Sequence, residues 1–488
     1  MILKKIENLL LLALLFLLPW QTRYIWQEGQ LNGGHWEYGT FSIYGVEILL
    51  WVIILVFFFR HLFDKKIRTG FLAQSRVLGI ILPVIFLGLM GLSLGFSENF
   101  WVSYQYVFRW LGAMAFFVIL SKAKDPSQLS ERDSLPTGQA GSVAFLPQND
   151  KRLLVLWFGA VVQGLLAIYQ FLTQHVFAIK WLGMSAQDAM QGGASVVEFA
   201  DQRWLRAYGS FGSPNSLGIY LAVLLVLGFI LYLKTERPFS KILISVGQLI
   251  ILSGLLFSFS RGAWLSAIVG IVTLFFVLII HCHSDRSGGI PYTTTQQLNL
   301  DSVITKYKGS FGFAQDDKQT AIRSFGKQVL FITVLTSFWV GIFFPIFSAR
   351  FNIHNRLEVY SIAERQSQYK ESLSFIKNKP FFGVGPALYT FAVSKKYPKL
   401  TSWQFQPVHN IYVLSIVEFG VFFGLFLGLM ILCLIKQVFK NNLIFLPVLF
   451  VLLMAGLFDH WLFSMFTGLV FWWIMWGVLI LDISNENC

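Results

Sequence analysis

Two arginines stand beside strongly apolar segments, where a charged group could act at a membrane surface. Arg206 shortly precedes one such segment, and Arg261 lies in a short Ser-Arg-Gly turn between two others. A guanidinium group in a tight turn can present its planar fork to phosphate oxygens. Snorkelling of the same side chains toward lipid headgroups is an equally open interpretation.

A histidine opens a later apolar segment. His409 is followed by Asn410, and Glu418 comes about two helical turns further on. A neutral imidazole can accept a proton from a hydroxyl near neutral pH, as a general base must. A lone histidine at this position is more often an anchoring polar residue, and that alternative stays open. Glu418 is better suited to a buried structural or supporting role.

The segment before His409, residues 348–409, is unusually basic. Its excess charge suggests a polyanionic ligand such as a pyrophosphate. The alternative is that a loop of this length crosses the membrane regardless of its charge. The charged residues counted are Arg350, Arg356, Arg365, Lys370, Lys377, Lys379, Lys395, Lys396 and Lys399, against Glu358, Glu364 and Glu371.

The same segment has the pattern of an amphipathic helix that ends at a turn. Apolar residues recur with helical spacing over 360–376, and Pro380 then stops the helix. Gly383 and Gly385 would let the backbone of the turn approach a ligand closely. A second short helix is predicted over 387–397.

The composition requires a membrane around these residues. Of the 488 residues, 55 % are hydrophobic and only 13 % are charged. A bilayer core of about 30 Å needs roughly 20 apolar residues per helix, and such stretches recur along the whole chain, so we predict one membrane domain over 1–488. The net charge of +13 is explained by basic cytoplasmic loops rather than by nucleic acid.

The hydropathy predicts an all-α, polytopic membrane protein with about twelve spans. Lys4 and Lys5 precede the first span without a cleavage pattern after it, so we keep it as a helix with its start in the cytoplasm. Both termini are then cytoplasmic, as are two long inserts at 121–152 and 281–328, and the basic loop lies outside. The predicted spans are 6–20, 42–59, 77–96, 104–120, 153–173, 216–233, 241–258, 263–280, 329–347, 410–435, 443–458 and 462–481.

Few other residues indicate chemistry. The three cysteines are far apart, which argues against disulfides or a thiolate metal site. His281 and His283 fit a polar helix end better than a metal site. Glu47 and Arg109 are ionisable residues in apolar helices and could pair with each other, or Arg109 could only snorkel outward.

Taken in order, these motifs resemble the O-antigen ligase and O-antigen polymerase superfamily of bacterial membrane glycosyltransferases. The resemblance covers residues 200–435. It rests on the Ser-Arg-Gly turn at 260–262, Arg365 opening an amphipathic helix, the turn at 380–385, His409 with Asn410, and Glu418 with Gly420.

The resemblance implies a metal-independent glycosyltransferase without cofactors in the bacterial inner membrane, with a periplasmic active site. Its donor would be a glycan on undecaprenyl diphosphate, and its acceptor lipid A core or a growing glycan. Arg261 and Arg365, with Arg206 as a weaker candidate, would bind the diphosphate. His409 would act on the acceptor hydroxyl. Ligase activity is our first expectation, with polymerase and protein O-oligosaccharyltransferase as alternatives. A lipid-linked glycan transporter is the alternative from another class.

Overall fold

A computed structural model of the chain describes residues 2–63, 81–122, 148–283 and 315–480. Most of the two predicted cytoplasmic inserts, 121–152 and 281–328, lies outside these residues. The side chains of His281 and His283 lie outside them as well. The assignment of these two histidines as a polar helix end therefore stays a prediction.

The described chain is mainly helical. Long apolar runs form helices because each helix satisfies its own backbone hydrogen bonds without water. The helices are α1 (Ile2–Leu17), α2 (Gly45–Phe63), α3 (Leu82–Leu94), α4 (Phe100–Lys122), α5 (Gln148–Thr173), α6 (Pro214–Lys234), α7 (Pro238–Phe257), α8 (Arg261–His283), α9 (Gln315–Ile342), α10 (Phe344–Phe351), α11 (Arg356–Asn378), α12 (Tyr389–Lys396), α13 (Ile411–Phe419), α14 (Val421–Asn441), α15 (Leu446–Phe458), α16 (Trp461–Ser464) and α17 (Phe466–Ile480).

These helices fit an integral membrane protein. A helix is found within each of the twelve predicted spans, although three spans are divided: the ninth between α9 and α10, the tenth between α13 and α14 at Gly420, and the twelfth between α16 and α17. Within the described ranges, seven helices are long and apolar enough to cross a bilayer, namely α4 to α9 and α14. The number of spans therefore stays a prediction.

The position of each helix in the bundle decides which of its faces meet protein. α6 is almost enclosed by protein, since 94 % of the residues in its apolar stretch are buried. In α9 only 17 % of the corresponding residues are buried. An apolar helix that is buried on all sides is a core helix, and one that exposes apolar residues must face lipid. α6 therefore forms the centre of the bundle.

The protein is mostly helical, as expected, but the segments between helices also contain a little sheet. Among the described residues there are four small antiparallel pairs of strands: β1 (Arg23–Gln27) with β4 (Phe41–Tyr44), β2 (Gln30–Leu31) with β3 (Gly34–His35), β5 (His175–Val176) with β6 (Gln187–Asp188), and β7 (Val196–Phe199) with β8 (Gln202–Leu205). In the last pair, Ala200 and Asp201 both have positive φ, as two-residue hairpin turns require. Such short strands leave little hydrophobic alternation for a sequence-based prediction to detect.

Segments from six places in the chain meet on one side of the bundle, which we call the cap. The first segment contacts the large basic loop, because Trp36 Nε1 donates to Thr390 Oγ1 at 2.9 Å. Glu98 of the second pairs with Lys379 of the same loop at 2.7 Å. Glu198 of the third pairs with Arg356 at 2.6 Å. The turns around Phe259 and His460 complete the cap through contacts described below.

These contacts change the interpretation of the basic loop. Glu98 also pairs with Lys395, at 2.5 Å, and Lys396 pairs with Glu371 at 2.7 Å. Carboxylates from other cap segments therefore neutralise part of the charge that suggested a polyanionic ligand. The basic residues of the loop that form no ion pair with a described residue are Arg365, Lys370, Lys377 and Lys399.

Candidate functional site

The long helix α11 supplies the central face of the site. The resemblance placed Arg365 at the opening of this helix, but α11 begins at Arg356, more than two turns earlier. Glu358, Arg365, Gln368 and Ser372 recur at intervals of seven, three and four residues, which places them on one face. Three of them are buried, so α11 turns a polar face toward the bundle.

Arg206, Arg261, Arg350 and Arg365 lie near one another, and we call them the arginine cluster. Glu358 is the anion at its centre. It is 3 % exposed, and its Oε2 lies 2.6 Å from Nη2 of Arg261. Its other oxygen contacts Nη1 of Arg350, whose Nε donates to the carbonyl of Phe259 at 3.0 Å. A buried carboxylate shared by two guanidinium groups is favourable only because both charges are paired. Glu358 thus connects α11 to the Ser-Arg-Gly turn.

Arg206 lies behind this pair and is 8 % exposed. Its Nε donates to the Ser258 carbonyl at 2.8 Å and its Nη2 to Oδ1 of Asn215 at 2.7 Å. Burial, followed by the charge of Arg350, lowers the pKa of Arg206 well below its usual range. Because both acceptors are neutral, the guanidinium charge of Arg206 is not directly compensated.

A small cavity lies beside the cluster and is lined by several of its charged side chains. Arg261, Arg350 and Arg365 line it together with Asp459. Arg365 has no hydrogen bond or ion pair within the described part of the chain, which leaves its donors for another group. The four arginines of the cluster face two carboxylates, Glu358 and Asp459, so the cluster carries a surplus of two positive charges.

The cavity is smaller than the ligand that its charge suits. Its volume is about 30 Å³, far below the roughly 300 Å³ or more that pockets for small-molecule ligands usually have. A diphosphate is larger, so it can bind only after side chains move. Arg365, which has no partner among the described residues, can move most easily, whereas Arg261 is 30 % exposed but paired with Glu358.

A wider groove lies next to the cluster, between the β7–β8 hairpin and the start of α11. It encloses about 890 Å³ and is lined by Glu198, Asp201, Arg203 and Arg356 among others. Two acidic and two basic side chains balance each other there. The groove therefore lacks the positive surplus that would favour a diphosphate over the smaller cavity.

His409 lies beside the cavity, on the side of Asp459. Its Nδ1 is 3.0 Å from Oε1 of Gln368, and its ring centre is 5.3 Å from that of His460, nearly edge to face. Burial, followed by the nearby His460, lowers the pKa of His409 below its usual range, although Asp459 opposes the shift. His409 is therefore neutral at pH 7 and can accept a proton. Arg365 is close enough to contribute to the same shift.

Asn410 fixes the start of α13 and thereby the position of His409. Its Oδ1 accepts hydrogen bonds from the backbone N–H groups of Tyr412 and Val413 at 3.0 and 3.1 Å, as an N-cap does. Its Nδ2 donates to the Tyr369 hydroxyl on α11 at 3.2 Å. The side chain therefore holds two helices together beside the histidine.

The turn at 380–385, which contains Gly383 and Gly385, packs closely against the end of α13. Val384 N–H donates to the Val417 carbonyl at 2.8 Å, and Gly385 N–H to the Glu418 carbonyl at 3.0 Å. A Cβ on Gly383, whose φ is +66°, would lie 2.4 Å from the Val417 oxygen. These contacts hold the turn against the carbonyl end of α13, which suits a structural role for Gly383, and the close approach of a ligand to the turn stays a prediction.

Glu418, near the end of α13, contacts the segment that follows this turn. It is 4 % exposed, and its Oε1 accepts the backbone N–H of Tyr389 at 3.5 Å. It lines a small internal cavity with Tyr38 and Tyr106 rather than the arginine cavity. These contacts suit the structural role expected for it, because they hold the turn after Gly385 against α13.

The site contains residues that were not selected from the sequence: Arg350, Glu358, Gln368, Asp459 and His460. Arg350 and Glu358 were counted only as charges of the loop. Gln368 lies one turn after Arg365, and helical spacing could have singled it out. Asp459 and His460 are a polar pair in a short gap between two apolar helices, on the side predicted for His409, and that pattern was a usable signal.

Glu47 and Arg109 form a separate structural pair. Arg109 Nε lies 3.4 Å from Glu47 Oε2, which confirms that the two ionisable residues compensate each other. Arg109 also donates to the Ser42 carbonyl at 2.5 Å. In the described ranges no group of three or more His, Cys, Asp or Glu side chains is arranged to hold a metal ion.

The fold and the site define a multi-pass membrane protein with a basic polar site at one face. Residues 318–429 match the family model described as O-antigen ligase. This match confirms the resemblance to the O-antigen ligase superfamily and supports a membrane glycosyltransferase-like protein that interacts with lipid-linked glycans and membrane lipids. It includes Arg365 and His409, whereas Arg206 and Arg261 lie outside it, so the wider core over 200–435 stays a prediction. Among curated proteins, none matches the chain.

Proposed function

We propose that the protein transfers a glycan from undecaprenyl diphosphate to an acceptor hydroxyl, as an O-antigen ligase does. The observation that carries this proposal is the convergence of Arg261, Arg350 and Arg365 on one cavity, with His409 beside it. The surplus of two positive charges suits the two negative charges of a lipid-linked diphosphate. The proposed bacterial carrier also requires the inner membrane, with the cap in the periplasm and both termini in the cytoplasm.

The reaction is a single displacement at the anomeric carbon. The acceptor oxygen forms a bond to that carbon while the bond from carbon to the diphosphate oxygen breaks, and the bonding electrons leave with the diphosphate. His409 accepts the proton of the acceptor hydroxyl. The arginines stabilise the negative charge on the departing diphosphate, so in this proposal the reaction needs no metal. In-line displacement inverts the configuration at the anomeric carbon.

The acceptor distinguishes the finer alternatives. Lipid A core would make the protein a ligase, a growing glycan a polymerase, and a protein hydroxyl an O-oligosaccharyltransferase. We propose ligase activity because the matching family carries that description. A transporter of lipid-linked glycans would share the arginine site but would not need a neutral imidazole next to it.

The test is a transfer assay in membranes with the native lipid-diphosphate glycan and a chelator present. We expect transfer by the intact chain, and a loss of at least about 100-fold in His409→Ala, since general bases contribute roughly that much or more. Arg365→Ala should weaken donor binding and transfer. Exposed Lys399→Ala serves as the control. Unchanged transfer in both site variants, or movement of labelled lipid between leaflets without glycan release, would refute the transferase.

A further inference from the structure

Gln368 is the only described residue that forms a hydrogen bond with the His409 ring. It is 8 % exposed, and its Oε1 lies 3.0 Å from Nδ1 of the imidazole. Its own backbone carbonyl accepts hydrogen bonds from Ser372 Oγ at 2.7 Å and the Tyr389 hydroxyl at 3.2 Å. The backbone of Gln368 is therefore tied to Tyr389, while its side-chain oxygen contacts the histidine.

The chemistry of this contact selects one form of the imidazole. With the amide oxygen toward the ring, as in this contact, Gln368 accepts and Nδ1 carries the hydrogen. In a neutral ring the lone pair is then on Nε2. The ring nitrogen that faces away from Gln368 is thus the basic one.

We propose that Gln368 is a positioning residue that holds His409 in the Nδ1-protonated form, so that Nε2 accepts the proton of the acceptor hydroxyl. This inference rests on the proposed function. The hydroxyl proton passes to Nε2, the oxygen bonds to the anomeric carbon, and the diphosphate leaves with its electrons. Nδ1 keeps its hydrogen throughout and continues to donate a hydrogen bond to Oε1 of Gln368.

The charged surroundings explain why a neutral amide suits this role. The ionisable groups that face His409 are Arg365 on α11, and Asp459 and His460 in the turn after α15. Arg365 disfavours the imidazolium and Asp459 favours it. An amide orients the ring without adding a charge to this balance, so His409 stays neutral before the reaction.

The test uses a matched pair of glutamines on the same helix. Gln366 is two residues from Gln368 but exposed, so it lies on the opposite face of α11. Gln368→Met and Gln366→Met remove the same amide, and Gln368→Glu and Gln366→Glu add the same charge. The measurements are kcat and KM for the lipid-linked donor over pH 4 to 9.

We expect Gln368→Met to lower kcat by about 10- to 100-fold, as loss of an orienting partner does at metal-bound histidines. KM for the donor should hold, because the arginines are untouched. In Gln368→Glu the carboxylate raises the pKa of His409. Activity, which needs the neutral ring, is then lost at a higher pH as the solution is made acidic. Both Gln366 variants should behave like the unaltered chain.

Other outcomes separate the inference from the function beneath it. If the unaltered chain transfers no glycan, the proposed function fails. If His409→Ala abolishes transfer while Gln368→Met matches Gln366→Met, the inference alone fails. It also fails if Gln368→Glu, which keeps the shape of the side chain, leaves the acidic limb of the pH profile in place.

Discussion

Glu358 is the residue on which the arginine cluster depends. It is the only carboxylate within salt-bridge distance of Arg261 or Arg350 among the described residues, and it is nearly inaccessible to water. Removing one partner of a buried ion pair leaves a charge uncompensated in a low-dielectric environment. The site is therefore stable without ligand because it contains an anion of its own.

We expect Glu358→Gln to destabilise the protein by about 3–5 kcal/mol, the usual cost of breaking a buried pair. Added inorganic pyrophosphate should raise its melting temperature more than that of the unaltered chain, since it supplies the missing negative charge. The measurement is thermal unfolding in detergent with and without pyrophosphate.

Glu371→Gln is the control for this experiment. Glu371 pairs with Lys396, whose side chain is 41 % exposed, so loss of this pair should cost about 1 kcal/mol or less. An equal loss of stability in the two variants, or the same pyrophosphate effect in Glu358→Gln and the unaltered chain, would contradict the account of the cluster.

At the scale of elements, the break between α13 and α14 joins the bundle to the cap. Gly420 has a φ of +90°, and a Cβ there would lie 1.9 Å from the Phe381 carbonyl oxygen. The free backbone groups at the break are used by the turn before α12, since Val421 N–H donates to the Pro380 carbonyl at 2.8 Å. The backbone at Gly420 and Val421 thus packs against the turn at 380–385 and holds it in place.

We expect Gly420→Ala to lower the free energy of unfolding by more than about 1 kcal/mol, because alanine is strained at this φ and its Cβ meets backbone. Gly428→Ala is the matched control in α14, where a Cβ meets no atom within 4 Å. That change should be neutral or stabilising by up to about 1 kcal/mol. Chemical unfolding of both variants in the same detergent measures the difference, and equal stability would rule out a structural role for the break.

At the scale of the whole molecule, the site residues all lie in the cap, so they face the same side of the membrane. The arginine cavity and His409 belong to segments that contact one another on one side of the bundle. A single orientation therefore places all of them in the same compartment. The excess of Lys and Arg in the opposite loops predicts that this compartment is the periplasm.

Cysteine labelling in intact cells tests this orientation. After replacement of Cys282, Cys433 and Cys488 by serine, we expect Met190→Cys in the cap to react with a membrane-impermeant reagent. Glu236→Cys, in the exposed turn between α6 and α7, should react only after permeabilisation. The reverse pattern would place the site in the cytoplasm and contradict the proposed donor geometry.

The elements of the fold were more predictable than the site. Long apolar runs specify helices strongly, so each predicted span contains one. The short strands and the start of α11 were missed because their residues carry little periodic signal. Arg261 and Arg365 could be chosen by type and position. Their convergence with Arg350 and Asp459 depends on tertiary contacts between distant segments, which spacing along the chain does not encode.

The helix α11 also limits how this sequence can vary. Arg365 reaches the cavity and Gln368 reaches His409 from a single unbroken helix. One residue inserted or deleted between them would turn the later part of the helix by about 100° and move Gln368 away from the imidazole. Related chains that keep this arrangement can thus change length in the outer hairpins, but the interval from Glu358 to Gln368 must keep its length.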